Sequence, residues 1–232
     1  KNGSIRTPQS IQSYATLATI IFQTNQNEQH GGQAIPAFDF FMAKGVAKSF
    51  RKHLASFINF YVAMENGTQA DEKAIRTLIK EHLSSIKSTE AEREALRIAL
   101  IALQIIIDKE HLTRIAEKAY QQTRKDTHQA MEGFIHNLNT MHSRGGNQVV
   151  FSSINYGTDT SAEGRLVIEE LLKATIEGLG TRGEVPVFPI QIFKVKDGVS
   201  YSEKDFEKAM KMEKIEDAMK STYEAPNFDL LL

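Results

Sequence analysis

The chain has 232 residues, of which 41% are hydrophobic and 25% are charged, and this composition is typical of a globular protein with one or two domains. Its 28 Lys and Arg residues nearly balance its 29 Asp and Glu residues, so no overall field would attract nucleic acid or an anionic membrane. The absence of cysteine excludes disulfides, thiolate metal sites and thiyl-radical chemistry within these residues. Any anionic ligand must therefore be held by local groups.

No segment predicts a membrane span or a leader. The longest apolar run, residues 98–107, is interrupted by Gln104 and is much shorter than a membrane helix, so it predicts a buried helix. The first residues, KNGSIRTP, lack the apolar region of a signal peptide. We therefore expect a cytoplasmic chain.

Two amphipathic helices are predicted near the start. In residues 7–26, Thr7 can cap the helix and Pro8 suits its first turn. Its apolar stripe comprises Ile11, Tyr14, Ala15, Ala18, Ile21 and Phe22. A second helix, residues 45–65, has an apolar side opposite a basic side formed by Lys48, Arg51, Lys52 and His53. That basic side is either a solvated face or a surface that binds anions.

The middle of the chain predicts further helices and no chemistry. Residues 70–125 contain two or three helical patterns without strand-like alternation. Thr89 and Glu92 are spaced as a capping box, which predicts a long helix from there to about residue 124. The core face of that helix is expected to comprise Leu96, Leu100, Leu103, Ile106 and Ile107. His128, His136 and His142 lie eight and six residues apart, so no metal site is predicted.

Residues 126–160 predict a helix, a Gly-Gly turn and a strand. The helix has one apolar stripe, formed by Ala130, Phe134, Leu138 and Met141, and Gly145 and Gly146 end it. The strand, VVFSSINY, is polar in its middle at Ser152, Ser153 and Asn155. Because unpaired buried polar groups are costly, these side chains either line a polar pocket or face solvent on an edge strand.

The chain then continues as a second α/β unit. The segment from Thr158 to Ser161 is expected to end the strand and cap a helix over residues 162–177, which Gly178 and Gly180 end. The apolar run VPVFPIQIFKV predicts a buried strand, and strand, helix and strand in this order predict a βαβ crossover. A charged helix is expected over residues 202–222. The predicted fold class is α/β and predominantly helical.

Four stretches carry a family resemblance. They are SIRTPQSI at 4–11, QNEQHGGQAIPAFDF at 26–40, the run from His128 to Arg165, and GLGTRGEVPVFPIQIFKVKDGV at 178–199. Together they resemble the large catalytic subunit of anaerobic, class III, ribonucleoside-triphosphate reductases. Residues 66–125 are unspecific, whereas PNFD at 226–229 is similar to the PNYD of the family.

The resemblance implies a fold and a division of the chain. The chain would be part of a glycyl-radical-enzyme-type α/β barrel with an antiparallel helix layer at a dimer interface. Residues 1–125 would form the mainly helical dimer and effector region. Residues 126–232 would form the helix-loop-strand and βαβ part of the barrel.

The resemblance also implies four groups of site residues. A substrate-side loop would comprise Gln29, His30, Gly31, Gly32 and Gln33, whereas two glycines alone are more typical of a simple turn. The polar wall facing the substrate would comprise Ser152, Ser153 and Asn155. The site for a dNTP effector would comprise Arg6, Gln9, Ser10 and Lys52. The flexible loop relaying effector binding to the substrate base would comprise Ser143, Arg144, Gly145, Gly146, Asn147 and Gln148.

The function implied is the reduction of ribonucleoside triphosphates to deoxyribonucleoside triphosphates for DNA synthesis. The whole enzyme would be a homodimer using a glycyl radical, installed by an S-adenosylmethionine iron–sulfur activase, with formate as reductant and Mg-dNTP or ATP as effectors. Because this chain has neither cysteine nor a glycyl-radical loop, we expect an inactive fragment that binds no cofactor itself. The alternative is a non-catalytic nucleotide-binding or dimerisation module, which would share the helices and the basic side.

Overall fold

The computed structural model describes residues 6–28, 31–67, 70–141 and 149–200. This part of the chain forms six α-helices, one short 3-10 helix and three strands. In chain order they are α1 (Ile11–Glu28), β1 (Gln33–Ile35), α2 (Phe38–Asn66), α3 (Glu72–His82), α4 (Glu90–Leu100), the 3-10 helix (Ile101–Leu103), α5 (Lys109–Thr140), β2 (Ser152–Tyr156), α6 (Ala162–Glu177) and β3 (Ile190–Phe193). The predominantly helical α/β class is confirmed.

The three strands form a parallel sheet with β2 in the middle. Gln33 of β1 is in register with Ser152, and Ile154 is in register with Gln191 of β3. The helix α6 connects β2 to its parallel neighbour β3, which confirms the predicted strand-helix-strand order. The expected burial of the second strand is wrong, because Ile190 and Ile192 of β3 are 56% and 44% exposed. The strand β1 was not predicted, because three residues are too few to show an alternating pattern.

The helices α1, α2, α5 and α6 enclose the main core. The long helix α5 packs against the other three, and the ring of Phe134 lies 5.0 Å from that of Phe38, centroid to centroid. α1 and α2 cross closely at Gly45, where an added Cβ would lie 3.0 Å from the Cα of Ile11. Gly45 was predicted to start the second helix, but it lies inside α2, which begins at Phe38. A glycine is required at this position because the crossing leaves no room for a side chain.

The predicted long helix from Thr89 to about residue 124 is wrong. α4 ends at Leu100, and after the 3-10 turn Gln104 adopts a left-handed conformation with φ 60°. Asp108 then starts α5 by accepting a hydrogen bond from the backbone N–H of His111 at 2.8 Å. α5 therefore begins at Lys109, twenty residues after Thr89. It continues without a break through residue 125, the predicted boundary between the effector region and the barrel part of the chain.

This break also changes the predicted core face. Leu96, Leu100 and Ile107 are buried as expected, whereas Ile106 is 82% exposed and Leu103 is only partly buried. The apolar run hid the break because it contains only Ile, Ala, Leu and Gln, none of which is a helix breaker. In the next segment Ala130, Phe134 and Leu138 are buried as predicted, and Met141, just past the end of α5, is 44% exposed.

The predicted capping box at the start of α4 is confirmed. Thr89 Oγ1 accepts a hydrogen bond from the backbone N–H of Glu92 at 3.2 Å, and a Glu92 carboxylate oxygen accepts one from the backbone N–H of Thr89 at 2.7 Å. A second Glu92 oxygen accepts the backbone N–H of Ser84 at 3.0 Å. The hydrogen bonds from Ser84, which have the larger effect, and from Thr89 lower the pKa of Glu92 to about 2.

We expect Glu92→Gln to lower the free energy of unfolding by about 1 kcal/mol at neutral pH. An amide oxygen accepts the hydrogen bonds from Ser84 and Thr89 more weakly than a carboxylate does. A lowered pKa in the folded state stabilises the fold above the ordinary pKa of 4.5 and loses this effect as the pH falls towards about 2. The difference between the two proteins, measured by urea unfolding, should therefore shrink between pH 5 and pH 3. Glu117→Gln, on an exposed part of α5, is the control and should show no such change.

Candidate functional site

A basic pocket of about 490 Å³ lies where α1 begins, between α2 and α3. Five cationic side chains line it: Lys48, Arg51, Lys52, Arg76 and Lys80. The other lining side chains are polar: Gln9, Ser10, Ser13 and Thr77. No acidic side chain is part of the lining, so the pocket has a strong positive potential.

The start of α1 supplies the polar edge of the pocket. Ser10, just before the helix, accepts a hydrogen bond from the backbone N–H of Ser13 at 3.3 Å, and their hydroxyl oxygens lie 2.9 Å apart. The backbone N–H of Ile11 is satisfied by Ser49 Oγ of α2 at 2.9 Å, which fixes this end of α1 against α2. The positive end of the helix dipole adds to the positive side chains.

The cations are presented by two helices at helical spacing. Lys48, Arg51 and Lys52 follow one face of α2, whereas Arg76 and Lys80 are four residues apart on α3. Lys48 is anchored, because its Nζ donates to the carbonyl oxygen of Pro8 at 2.7 Å.

The remaining cations are mostly available to a ligand. Arg76 forms an ion pair with Glu72, and its Nε is buried without a hydrogen-bond acceptor in the described structure. Arg51, Lys52 and Lys80 form no ion pair with any residue that the structure describes. Three uncompensated cations beside a helix start suit a ligand with several anionic oxygens, such as a phosphate chain.

The pocket brings together three of the four residues predicted for the effector site. Gln9, Ser10 and Lys52 line it, whereas Arg6 is exposed and lies outside the lining. Arg76 and Lys80 also line the pocket but were not predicted from the sequence. Their four-residue spacing on a predicted helix was a signal, but nothing in the sequence shows that α3 packs beside α2.

The predicted polar wall on β2 is divided between two faces of the strand. Ser152, Ile154 and Tyr156 are buried on one face, while Ser153 and Asn155 lie partly exposed on the other. The prediction that all three polar residues share one wall is therefore wrong for Ser152. Its hydroxyl donates to the carbonyl oxygen of Val150 at 3.1 Å, which satisfies it locally. The alternative of an edge strand is also wrong, because β2 is central.

Tyr156 lies on the buried face of β2 and has a structural role. Burial, and secondly the negative charge of Asp39, raise the pKa of Tyr156 to about 12. Its hydroxyl donates to Gln191 at 3.0 Å, and the Gln191 amide donates to Thr175 at 2.7 Å. The phenol thus stays protonated at neutral pH and links β2 to β3 and α6.

The other face of the sheet is open. Ser153 is in register with Ala34 and Ile190, and Asn155 is in register with Ile192. Ala34, Ile190 and Ile192 are exposed, the last two by 56% and 44%. A polar central strand flanked by small and apolar side chains thus lines this open face.

The predicted substrate-side loop leads into the sheet. Gly31 and Gly32 precede β1, and the backbone N–H of Gln33 donates to the carbonyl oxygen of Phe151 at 3.0 Å. The Gln33 side chain is turned towards α1, where its amide donates to the carbonyl oxygen of Phe22 at 3.0 Å.

Several predictions fall outside the described residues. These are Gln29 and His30 of the substrate-side loop, the whole relay loop from residue 143 to 148, and the helix predicted over 202–222. In the described part of the chain, no helix is both long and apolar enough to cross a membrane.

These features define the class of protein as a mainly helical α/β chain with a cationic pocket and a sheet that is open on one face. A family model for anaerobic ribonucleoside-triphosphate reductase matches residues 1–231, so the chain belongs to this family. The resemblance found in the sequence is thereby confirmed.

Curated relatives support the same assignment. Proteins named anaerobic ribonucleoside-triphosphate reductase from Escherichia coli (strain K12) and Enterobacteria phage T4 are 32% and 33% identical over 105 residues. One from Haemophilus influenzae is 32% identical over 99 residues. These alignments cover 45%, 45% and 43% of this chain but only 15%, 17% and 14% of the respective relatives.

Proposed function

We propose that this chain is part of an anaerobic ribonucleotide reductase that reduces ribonucleoside triphosphates to deoxyribonucleoside triphosphates. Membership of the family and the names of the relatives support the reaction. Within that enzyme, the proposed role of the N-terminal helices is to bind a dNTP effector that controls substrate specificity. The observation that carries this role is the cationic pocket at the start of α1.

The pocket has the size and chemistry that a nucleotide requires. Its volume of about 490 Å³ is within the range of small-molecule sites. The proposed phosphate ligands are Arg51, Lys52 and Lys80, which have no competing carboxylate in the described structure. Ser10 and Gln9, at the helix start, would donate to phosphate or sugar oxygens.

Arg6 stays a proposed effector residue at the rim of the pocket. It is exposed and precedes the pocket by three residues, so its long side chain could reach a phosphate only from the rim. The relay loop at residues 143–148 remains the proposed link between effector and substrate.

The open face of the sheet is the proposed substrate side. Ser153 and Asn155 would form its polar wall, with Gly31 and Gly32 at the loop that enters β1. Parallel strands are normally covered on both faces, so the open face would be closed by further parts of the barrel. The proposed task of these residues is to bind and orient the nucleotide and to exclude water.

The radical chemistry does not fit the residues of this chain. The family implies a thiyl radical generated from a glycyl radical, with an activase and formate as partners, but the chain contains no cysteine. We therefore assign no radical step to these residues. In the proposed enzyme the thiyl radical would form on a cysteine outside this sequence.

The proposed assembly is a homodimer through α1 and α2. Ile20 and Ile21 of α1 and Phe40 and Phe41 of α2 are exposed by 43% to 52%. An apolar groove of about 550 Å³ lies between these helices and β1. Exposed apolar surface of this kind supports association with a second copy.

Calorimetric titration with dGTP, dATP and dTTP in the presence of Mg²⁺ tests the effector proposal. We expect at least one nucleotide to bind with a Kd on the order of micromolar. Lys52→Ala should weaken that binding about tenfold or more, because a hydrogen bond to a charged group contributes roughly 1.5–3 kcal/mol. Lys44→Ala is the matched control on the same helix, since Lys44 lies over the Phe40 ring and outside the pocket.

Two results would reject this effector site. One is the absence of binding by any of the three nucleotides to a chain with a helical circular dichroism spectrum. The other is binding that is equal in the Lys52→Ala and Lys44→Ala variants. Either result would leave family membership intact, because it rests on the match over residues 1–231.

A further inference from the structure

A cluster of one histidine and three carboxylates lies on the seam between α5 and α6. Nδ1 of His128 is 3.0 Å from a Glu170 oxygen, and Nε2 is 3.0 Å from a Glu177 oxygen. On the same side, Nε2 is 4.0 Å from an oxygen of Glu132, one turn further along α5. Three carboxylates thus surround one imidazole.

The carboxylates differ in how their charge is compensated. Glu170 has a side chain only 4% exposed, and it is held by Arg124 at 2.8 Å and Lys173 at 3.2 Å. The side chains of Glu132 and Glu177 are 52% and 57% exposed. Among the described residues their only ion-pair partner is His128, so two negative charges share one imidazole.

We propose that His128, Glu132 and Glu177 bind a divalent transition-metal ion of the Zn²⁺ type. One nitrogen or oxygen atom of each residue lies within 4.8 Å of the others. Metal–ligand distances of about 2.0–2.2 Å place the ligands of a tetrahedral ion roughly 3.3 Å apart. The two exposed glutamates can close this gap by rotation of their side chains, leaving a fourth position for water.

Glu170 supports this assignment by orienting the imidazole. Metal-binding histidines usually donate their second ring N–H to a carboxylate, which fixes the tautomer and directs the other nitrogen to the ion. Glu170 occupies that position beside Nδ1, and Arg124 and Lys173 hold it in place. Nε2 of His128 is thereby directed to the two exposed glutamates.

The position of Glu177 is a second, independent indication of a cation. It is the last residue of α6, and the carbonyl end of a helix carries a partial negative charge that stabilises a positive ion. In the described chain no Lys or Arg pairs with Glu177 to supply that charge. A bound metal ion would supply it and would join the end of α6 to α5.

The competing arrangement is His128 paired with its neighbouring carboxylates and no metal. It gives Nε2 one hydrogen-bonding partner, Glu177 at 3.0 Å, and leaves Glu132 in a longer ion pair at 4.0 Å, beyond hydrogen-bonding range. A metal ion would engage both glutamates. The imidazole ligand favours Zn²⁺ over Mg²⁺, which prefers six oxygen ligands.

Titration of the tag-free chain with ZnCl₂ tests the site, with binding measured by calorimetry and stabilisation measured by thermal unfolding. We expect one ion per chain, and a rise in Tm of roughly 5 °C or more at a hundredfold excess over Kd. Glu132→Gln and Glu177→Gln should each weaken binding about tenfold or more, whereas MgCl₂ should not compete. His111→Asn is the control, because His111 contacts Asp108 but has no third ligand in the described structure.

The proposal is overturned by two outcomes. The first is a folded chain, by circular dichroism, that neither binds Zn²⁺ nor shows a higher Tm with it. The second is binding that is unchanged when Glu132 and Glu177 are both replaced by Gln. Both side chains are more than half exposed, so these variants should keep the fold. The outcome is independent of nucleotide binding, because this cluster and the cationic pocket share no residue.

Discussion

Replacement of Asp39 by Ala is expected to lower the free energy of unfolding by about 3–5 kcal/mol. Asp39 is fully buried near the start of α2. One carboxylate oxygen accepts the backbone N–H of Phe40 at 2.9 Å, and the other accepts those of Gly157 at 2.8 Å and Asp159 at 3.1 Å. The variant would remove the acceptor shared by these three N–H groups, just where the sheet meets the helices.

Urea unfolding followed by circular dichroism measures this loss, with Asp71→Ala as the matched control. Asp71 also accepts a backbone N–H, that of Lys73 at 2.9 Å, but it is exposed and caps only α3. Its replacement should lower the free energy of unfolding by about 1 kcal/mol. If the two variants lose the same stability, the bonds from Asp39 to the end of β2 do not contribute as the structure indicates.

The importance of Asp39 could not be predicted from the sequence. Its partner Gly157 is 118 residues away, and a single aspartate before an apolar helix has no pattern that marks it as buried. The segment QAIPAFDF was recognised through its family resemblance, but its role as a contact between α2 and β2 depends on the packing of distant elements.

Elements with local signals could be predicted well. The stripe at Ala130, Phe134 and Leu138 predicted the buried face of α5. The cap predicted within residues 158–161 is confirmed at Ser161, which accepts a hydrogen bond from the N–H of Gly164 at 3.0 Å. Some errors occurred where tertiary packing overrides a local rule. Gly45 is such a case, because a glycine that would end an isolated helix is required inside α2 by the crossing with α1.

The candidate site shows the same division. A basic side on α2 was visible in the sequence, but a pocket needs a second wall, and only the packing of α3 brings Arg76 and Lys80 to it. The face of β2 on which Ser152 lies is a different case, because the sequence did carry a signal for it. Ile154 and Tyr156 have the same parity as Ser152, so alternation alone assigns Ser152 to the buried face.

Replacement of Phe134 by Ala is the second change with a large expected effect, and it should lower the free energy of unfolding by about 3–5 kcal/mol. The side chain is 1% exposed, and its ring centroid lies 5.0 Å from that of Phe38 and 6.4 Å from that of Phe22. Phe134 thus joins α5 to both α1 and α2. Its truncation would leave a cavity where three helices meet, which neighbouring side chains can fill only in part.

The comparison of Phe134→Ala with Phe134→Leu and Phe60→Ala isolates the packing contribution in urea unfolding. Phe134→Leu keeps most of the volume, so its loss should be less than half that of Phe134→Ala. Phe60 is on α2 but is 65% exposed, and its replacement by Ala should change the free energy of unfolding by no more than about 0.5 kcal/mol. Equal losses for Phe134→Ala and Phe60→Ala would contradict a core shared by α1, α2 and α5. Contacts other than this shared core would then have to hold the start of α1 beside the cationic pocket.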